Sequence, residues 1–447
     1  MSKDLARRLS SLDATMLVAG GIMGSGIFLV PGLVAAEVGA PGLALLVWFV
    51  CGILALCGAL CYAELSAAIP ETGGTYPFLK RAYGHPILPF LYAWSMLIVV
   101  YSGAIAAVAT AFAIHAGYFL GAWVPYGEGA QRLVAVGCIV FLGGMNALGV
   151  HIGGKIQTGV TFVKIGALGV IIALGFALGT GGAGHLTPIF AAEERPLGLV
   201  AGFGTAMIAG LFAYNGWWLS SFVAGEVRNP ERNVPRSIFF GLAIVLSIYL
   251  LVNLAYMYAL PFDELRGSSA VAVDAMSRVA GPMGGGIVAA AVMIATFGTL
   301  NAQLLGYPRI SFALGQEGGR LGWLARVHPQ YKTPWVAILV QVVWASVLAL
   351  SGTFAQLITF LAFPNFLFLS LAVAGLIILR RTEPKLPRPY RVWGYPVTPL
   401  LFLAIFAWYL GNSVIYRFED TGIAILLMLS GVPVYFLTRS RSRSGRT

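Results

Sequence analysis

The sequence predicts an all-α polytopic membrane protein with twelve transmembrane helices, and three observations lead there. Of the 447 residues, 58% are hydrophobic and only 10% are charged, with a mean hydropathy of +0.84, a balance that excludes an ordinary soluble domain. The apolar residues fall in twelve runs able to cross about 30 Å of hydrocarbon, at 12–36, 42–69, 87–120, 131–150, 155–179, 197–225, 235–260, 284–315, 335–351, 354–379, 396–416 and 421–438. Two of these runs, the first and the sixth, are interrupted in mid-span by residues that disfavour a continuous helix.

The formal net charge of +11 does not call for nucleic acid, because the positive charge is sorted by face. An even number of spans puts both termini on one side. That side collects Lys3, Arg7, Arg8, Lys80, Arg81, Lys155, the basic residues of 228–236, 309–332 and 380–391, and the tail arginines. The other side holds Arg132, Arg195, Arg266, Arg278 and Arg417. By the positive-inside rule both termini are expected to be cytoplasmic, in a plasma (inner) membrane protein. Lys164 belongs to neither face. All four cysteines (Cys51, Cys57, Cys61, Cys138) fall within spans, so no disulfide framework is expected. Met1–Ser11 is short, charged and runs straight into a span, unlike a cleavable signal peptide.

Span 1 is expected to start after an Asp13 N-cap and to break at Gly24-Ser25-Gly26, at the end of a run that also holds Gly20 and Gly21. Gly24 to Gly26 lie about 18 Å along the helix, near mid-bilayer. Each glycine costs about 1 kcal/mol of helix stability relative to alanine. Unwound backbone in lipid is tolerated only against protein or a cavity. The cluster therefore reads either as a close helix contact or as a break whose second half offers a helix N-terminus to an anion. Span 2 ends in Tyr62-Ala63-Glu64, where Glu64 reads as a salt-bridging residue or a proton-coupling carboxylate, and 76–83 as an interfacial segment.

Span 5 places Lys164 about 16 Å deep, at a cost of about 3 kcal/mol on the insertion scale. The alternatives are a lysine that snorkels to the interface and a functional cation inside the bundle. Span 6 reaches Phe212-Ala213-Tyr214-Asn215-Gly216-Trp217 at similar depth from the opposite side, and Asn-Gly is a turn dipeptide. Two antiparallel spans thus break at matching places in two five-helix halves, the pattern of an inverted-repeat transporter site. Span 7 carries Tyr249, Asn253 and Tyr256 at helical spacing. Span 8 contributes Thr296, Thr299 and Asn301, span 10 has Pro364-Asn365 as a possible kink, and the Arg/Ser-rich tail reads as disordered and able to touch anionic lipid. No His/Cys/carboxylate cluster or nucleophile-base pair sits in the spans, so neither enzyme chemistry nor a cofactor or metal is expected.

These residues resemble the amino acid-polyamine-organocation (APC) superfamily of transporters over nearly the whole chain. Gly24-Ser25-Gly26-Ile27-Phe28 is similar to its helix 1 signature, and Tyr62-Ala63-Glu64 with Pro70-Glu71-Thr72-Gly73-Gly74 to its helix 2 ending. Phe212 to Trp217 with Glu226, 229–233 and Pro235 resembles the L-type amino acid transporter (LAT) branch. The resemblance implies a LeuT-like 5+5 inverted repeat with discontinuous helices 1 and 6. The core would be residues 1–379 (repeats about 12–179 and 197–379), followed by two further helices in 380–438 and the tail 439–447. It also implies substrate contacts. The amides of Gly24, Ser25 and Gly26 would take a carboxylate, and carbonyls near Ile22 and Met23 with Phe212, Ala213 and Asn215, beside Gly216, would take an ammonium. Phe212 would act as a gate. Lys164 would stand where a second sodium binds in related proteins, bridging to 21–24 and to Thr299. Asn215 replaces an acidic or small residue common there. The family's heavy-chain cysteine between helices 3 and 4 is absent, so no disulfide-linked partner is expected. The implied function is sodium-independent exchange of neutral L-amino acids. A proton-coupled symporter is the nearest alternative, and a sensor or channel a more distant one.

Overall fold

The computed structural model describes residues 5, 7–179, 183–187, 189–190, 198–268, 270–351, 354–416 and 418–438. The tail 439–447 and the loop charges at 193–195 lie outside them. Among the described residues the regular structure is helical, apart from one isolated parallel bridge between Leu9 and Val227. The first span is two helices, α1a (Ser11–Ile22) and α1b (Gly26–Val38), bent by 46° at the break. Then follow α2 (Pro41–Ala68), α3 (Ile87–Leu120), α4 (Glu128–Ala147) and α5 (Val150–Leu178). The sixth span is again split, into α6a (Gly198–Ala213) and a single turn α6b (Leu219–Phe222). The remaining spans are α7 (Pro230–Ala259), α8 (Gly284–Gly306), α9 (Trp335–Ser351), α10 (Phe354–Thr382), α11 (Val397–Tyr416) and α12 (Phe418–Thr438). Among the described residues nine helices are long and apolar enough to cross a bilayer, ten when α1a and α1b count as one span; α9 and 202–213 of α6a are shorter apolar helices.

Local chemistry explains most boundaries. Pro41 and Pro230 open α2 and α7 at a position where the missing N–H has no helical acceptor. The expected Asp13 cap is corrected by three residues. Ser10 is the N-cap of α1a, its hydroxyl accepting from the Asp13 amide at 3.1 Å while Asp13 Oδ2 accepts from the Ser10 amide at 3.0 Å. That is a reciprocal capping box with aspartate in the usual glutamate place. Pro364 bends no break into α10, which runs through it.

The face that carries the N-terminus is closed by three polar joints. The Leu9 amide donates to Glu226 O at 3.0 Å and the Arg228 amide to Leu9 O at 2.9 Å, which pins the N-terminal segment to the α6b–α7 loop. The carboxylate of Glu226 receives Arg309 Nε at 2.8 Å and Nη2 at 3.2 Å, with both side chains wholly buried. Glu64, also buried, binds Arg380 Nε at 2.9 Å, Arg388 Nε at 3.4 Å and the Val392 amide at 2.6 Å. It therefore ties α2 to the end of α10 and the loop before α11, and the structure gives it the ion-pair partners of the first of its two readings. At the surface Arg81 holds the Glu383 carboxyl below its ordinary range through hydrogen bonds to both oxygens.

Removing one partner of a buried pair strands a charge, which costs about 3–5 kcal/mol, whereas removing both is far milder. Arg309→Met should therefore lower the thermal unfolding midpoint of the detergent-solubilised protein by several degrees, and Glu226→Gln with Arg309→Met should recover most of that loss. Equal destabilisation by the single and double variants would show that the pair is not the joint described here.

Candidate functional site

The two breaks meet in the middle of the bundle. α1a ends at Ile22, Met23 leaves helical geometry, and the Gly24 amide turns back to Ile22 O at 2.7 Å. α1b then restarts at Gly26, and Ser25 makes no side-chain cap. The first amides of α1b have no acceptor within their own helix, so the break presents donors and the positive end of a helix dipole. On the other strand of the chain α6a stops at Ala213. Gly216 has φ +112°, a conformation that favours glycine, and a Cβ there would sit 3.2 Å from Gly21 O. A Cβ on Gly26 would be 3.1 Å from Ala213 Cα. Gly26 and Gly216 are thus close-approach positions that dock one break on the other. Gly24, with ordinary clearance to Thr299, is not.

Lys164 is 1% exposed, and its ammonium donates to Gly20 O at 2.6 Å, Met23 O at 2.9 Å and Thr299 Oγ1 at 2.9 Å. Thr299 Oγ1 lies 3.2 Å from Gly20 O and 3.1 Å from Met23 O, so its own proton goes to one of the same carbonyls. Three oxygens meet the three N–H groups of an ammonium. Charge-assisted bonds of about 1.5–3 kcal/mol each outweigh the roughly 3 kcal/mol of placing lysine in a membrane, and the side chain does not snorkel to the interface. Its helix 1 acceptors are Gly20 and Met23 rather than the amide-rich glycines between and beyond them.

The remaining candidates divide. Tyr249 Oη lies 3.1 Å from Ile22 O and 3.3 Å from Ala213 O, so one hydroxyl bridges the frayed ends of α1a and α6a. The sequence flags Tyr249 only as one member of a polar face. The others on that face, Asn253 and Tyr256, are buried, and the Asn253 amide bonds back to Tyr249 O at 2.8 Å. Of the carbonyls expected to face an ammonium, Met23 O is turned to Lys164, Phe212 O accepts the Asn215 amide at 3.1 Å, and Ile22 O and Ala213 O face Tyr249. Gly24, Ser25, Gly26 and Asn215 are partly exposed, Phe212 is 51% exposed, and Ala14 through Met23 are buried. The break is therefore accessible while Ala14–Met23 of the inner half-helix are not.

Two broken helices whose breaks meet inside the bundle, one of them held by a buried lysine, define a secondary transporter of the inverted-repeat class. The sequence matches the amino acid permease family over residues 9–431. It is 34% identical to the serine/threonine exchanger SteT of Bacillus subtilis, over 98% of both chains. It is 35% identical to the human large neutral amino acids transporter small subunit 2, covering 97% of this chain and 80% of the relative. To the human Asc-type amino acid transporter 1 the identity is 32%, covering 97% and 82%. The chain belongs to the amino acid permease family of the APC superfamily. It is a membrane transporter, not an enzyme, with the twelve-helix LeuT-like fold of that family.

Gly216→Ala combines a disfavoured φ with crowding of Gly21, a strain of about 1–3 kcal/mol. Apparent substrate affinity, read as ligand-dependent thermal stabilisation, should fall about tenfold or more while the unliganded protein still elutes as wild type. Unchanged affinity would mean that contact of the two breaks does not shape the site.

Proposed function

We propose that this transporter exchanges neutral L-amino acids across the membrane by alternating access, without sodium. The observation that carries the reading is the Lys164 ammonium held by Gly20 O, Met23 O and Thr299 Oγ1. An all-oxygen set drawn from the helix 1 break and α8 is what a coupling cation would need, and an ammonium tethered to α5 would supply that charge. The amides of Ser25 and Gly26 would receive the substrate carboxylate, with Gly24 shaping the turn. Ile22 O, Ala213 O and the Asn215 carbonyl would receive its ammonium, displacing the Tyr249 hydroxyl, and Phe212, half-exposed here, would close over the ligand. The names of the relatives, a serine/threonine exchanger and a large neutral amino acids transporter, support exchange and a neutral substrate. The distribution of Lys and Arg supports cytoplasmic termini and an inner or plasma membrane location. No cysteine lies in the α3–α4 loop, which supports transport without a disulfide-linked partner chain.

The test is uptake of labelled L-serine, L-leucine and L-alanine into proteoliposomes in sodium-free buffer. Uptake should require unlabelled amino acid inside and should be indifferent to an imposed pH gradient. Concentrative uptake driven by a pH gradient alone would replace this reading with proton symport, and saturable binding without flux would replace it with a sensor. Lys164→Ala should still fold and insert, yet lose most exchange or become asymmetric between the two faces; wild-type exchange in that variant would remove the cation role.

A further inference from the structure

The segment after α2 is aromatic and basic, and it forms a short helix, Thr75–Tyr83. Tyr76, Pro77, Phe78 and Leu79 are buried, whereas Lys80 and Arg81 are exposed. This helix, the start of α3, the end of α12 and the segment after α8 enclose a cleft of about 260 Å³. Its walls are aromatic: Tyr76, Phe90 of α3 and Tyr435 of α12, with the rings of Phe90 and Tyr435 edge to face at 5.3 Å. Lys80 and Glu317 also line it, and Lys80 Nζ lies 2.7 Å from Glu317 Oε1 with both side chains exposed. The transport site uses none of these residues.

A cleft with one cation, one anion and aromatic walls selects a ligand that carries both charges. A phosphate suits Lys80. A primary ammonium can donate to Glu317 and lie against aromatic rings, whose faces attract cations. A purely anionic ligand would set its charge beside Glu317, and a purely cationic one beside Lys80. The existing pair is solvent-exposed and contributes little to stability, so exchanging it for two ligand pairs costs little. The volume falls short of the roughly 300–1,000 Å³ of pockets for drug-sized ligands, which suits a headgroup whose acyl chains stay outside. Phe436 and Leu437 lie in sequence between two lining residues, Tyr435 and Thr438, and are exposed. Apolar surface facing the lipid therefore begins at the edge of the cleft. Trp323, in the 3-10 turn Gly319–Ala325 that also helps to line the cleft, is exposed in the manner of an interfacial anchor.

We propose that this cleft binds the headgroup of an aminophospholipid of the phosphatidylethanolamine class. The phosphate pairs with Lys80, the ammonium with Glu317 against the aromatic walls, and the acyl chains run along Phe436 and Leu437 of α12. The headgroup replaces one direct contact by two and so joins the segments that follow α2 and α8. Arg309, the buried partner of Glu226, sits in the short helix Pro308–Gln316 just before Glu317. The lipid thereby adds a further joint to the face that carries the N-terminus.

The experiment titrates delipidated, full-length protein in detergent with palmitoyl-oleoyl phosphatidylethanolamine or the matching phosphatidylglycerol, read by native mass spectrometry. Its readout is binding and not exchange, so it stands apart from the proposed function. Phosphatidylethanolamine should bind about fivefold tighter or more, the worth of one charged hydrogen bond at an exposed site. The arginines that follow Thr438 draw anionic lipid without regard to Glu317, so the ratio of the two lipids is the quantity to compare. Glu317→Gln should bring that ratio to about one, and Lys80→Met should weaken both lipids. Equal binding by the wild type, or an unchanged ratio in Glu317→Gln, would overturn the proposal. Millimolar phosphoethanolamine or L-serine should leave the lipid bound; displacement by either would reassign the cleft to a soluble zwitterion and overturn the lipid.

Discussion

The interaction on which the rest depends is the bond of one ammonium to the end of a broken helix. A helix interrupted in mid-membrane leaves carbonyls that neither lipid nor the helix can satisfy. Lys164 answers that deficit at Gly20 and Met23, and Thr299 completes the set. Each side makes the other tolerable: the carbonyls solvate the charge, and the charge lets the backbone stay unwound. What the unwinding leaves over is the row of amide donors at the start of α1b, the part of the break proposed to receive the substrate carboxylate.

The second break is organised by contact with the first. Gly216 and Gly26 carry no side chain where the two backbones approach, and Tyr249 spans the gap with a single hydroxyl shared between Ile22 O and Ala213 O. Aromatic neighbours fix that tyrosine: Trp48 stands edge-on at 5.6 Å and Tyr214 tilted at 5.2 Å. The hydroxyl thus sits where a substrate ammonium is proposed to sit.

Much of this is legible in the sequence because the signals are one-dimensional. Runs of apolar residues mark spans, glycine density and Asn-Gly mark breaks, and a lysine without a charged neighbour in sequence marks itself. Helix ends depend on reciprocal side-chain geometry, which is why Ser10 and not Asp13 caps α1a. The acceptors of Lys164 follow from its reach and from the path of the unwound chain, neither of which composition encodes. Arg309 gives no sequence signal, because it becomes meaningful only beside a partner more than eighty residues away. Glu64 is a middle case: its position is readable, but its partners come from the end of α10 and the loop after it, more than three hundred residues later.

The central claim is that a protein-borne ammonium occupies the place of a coupling cation. Its most direct test is equilibrium binding of labelled L-serine to the purified protein with sodium exchanged for potassium or choline, for wild type and Lys164→Met in parallel. The account predicts wild-type affinity that is the same in all three salts and a variant that binds weakly in each. Wild-type binding that rises with sodium, or a variant that binds as wild type does, would contradict it.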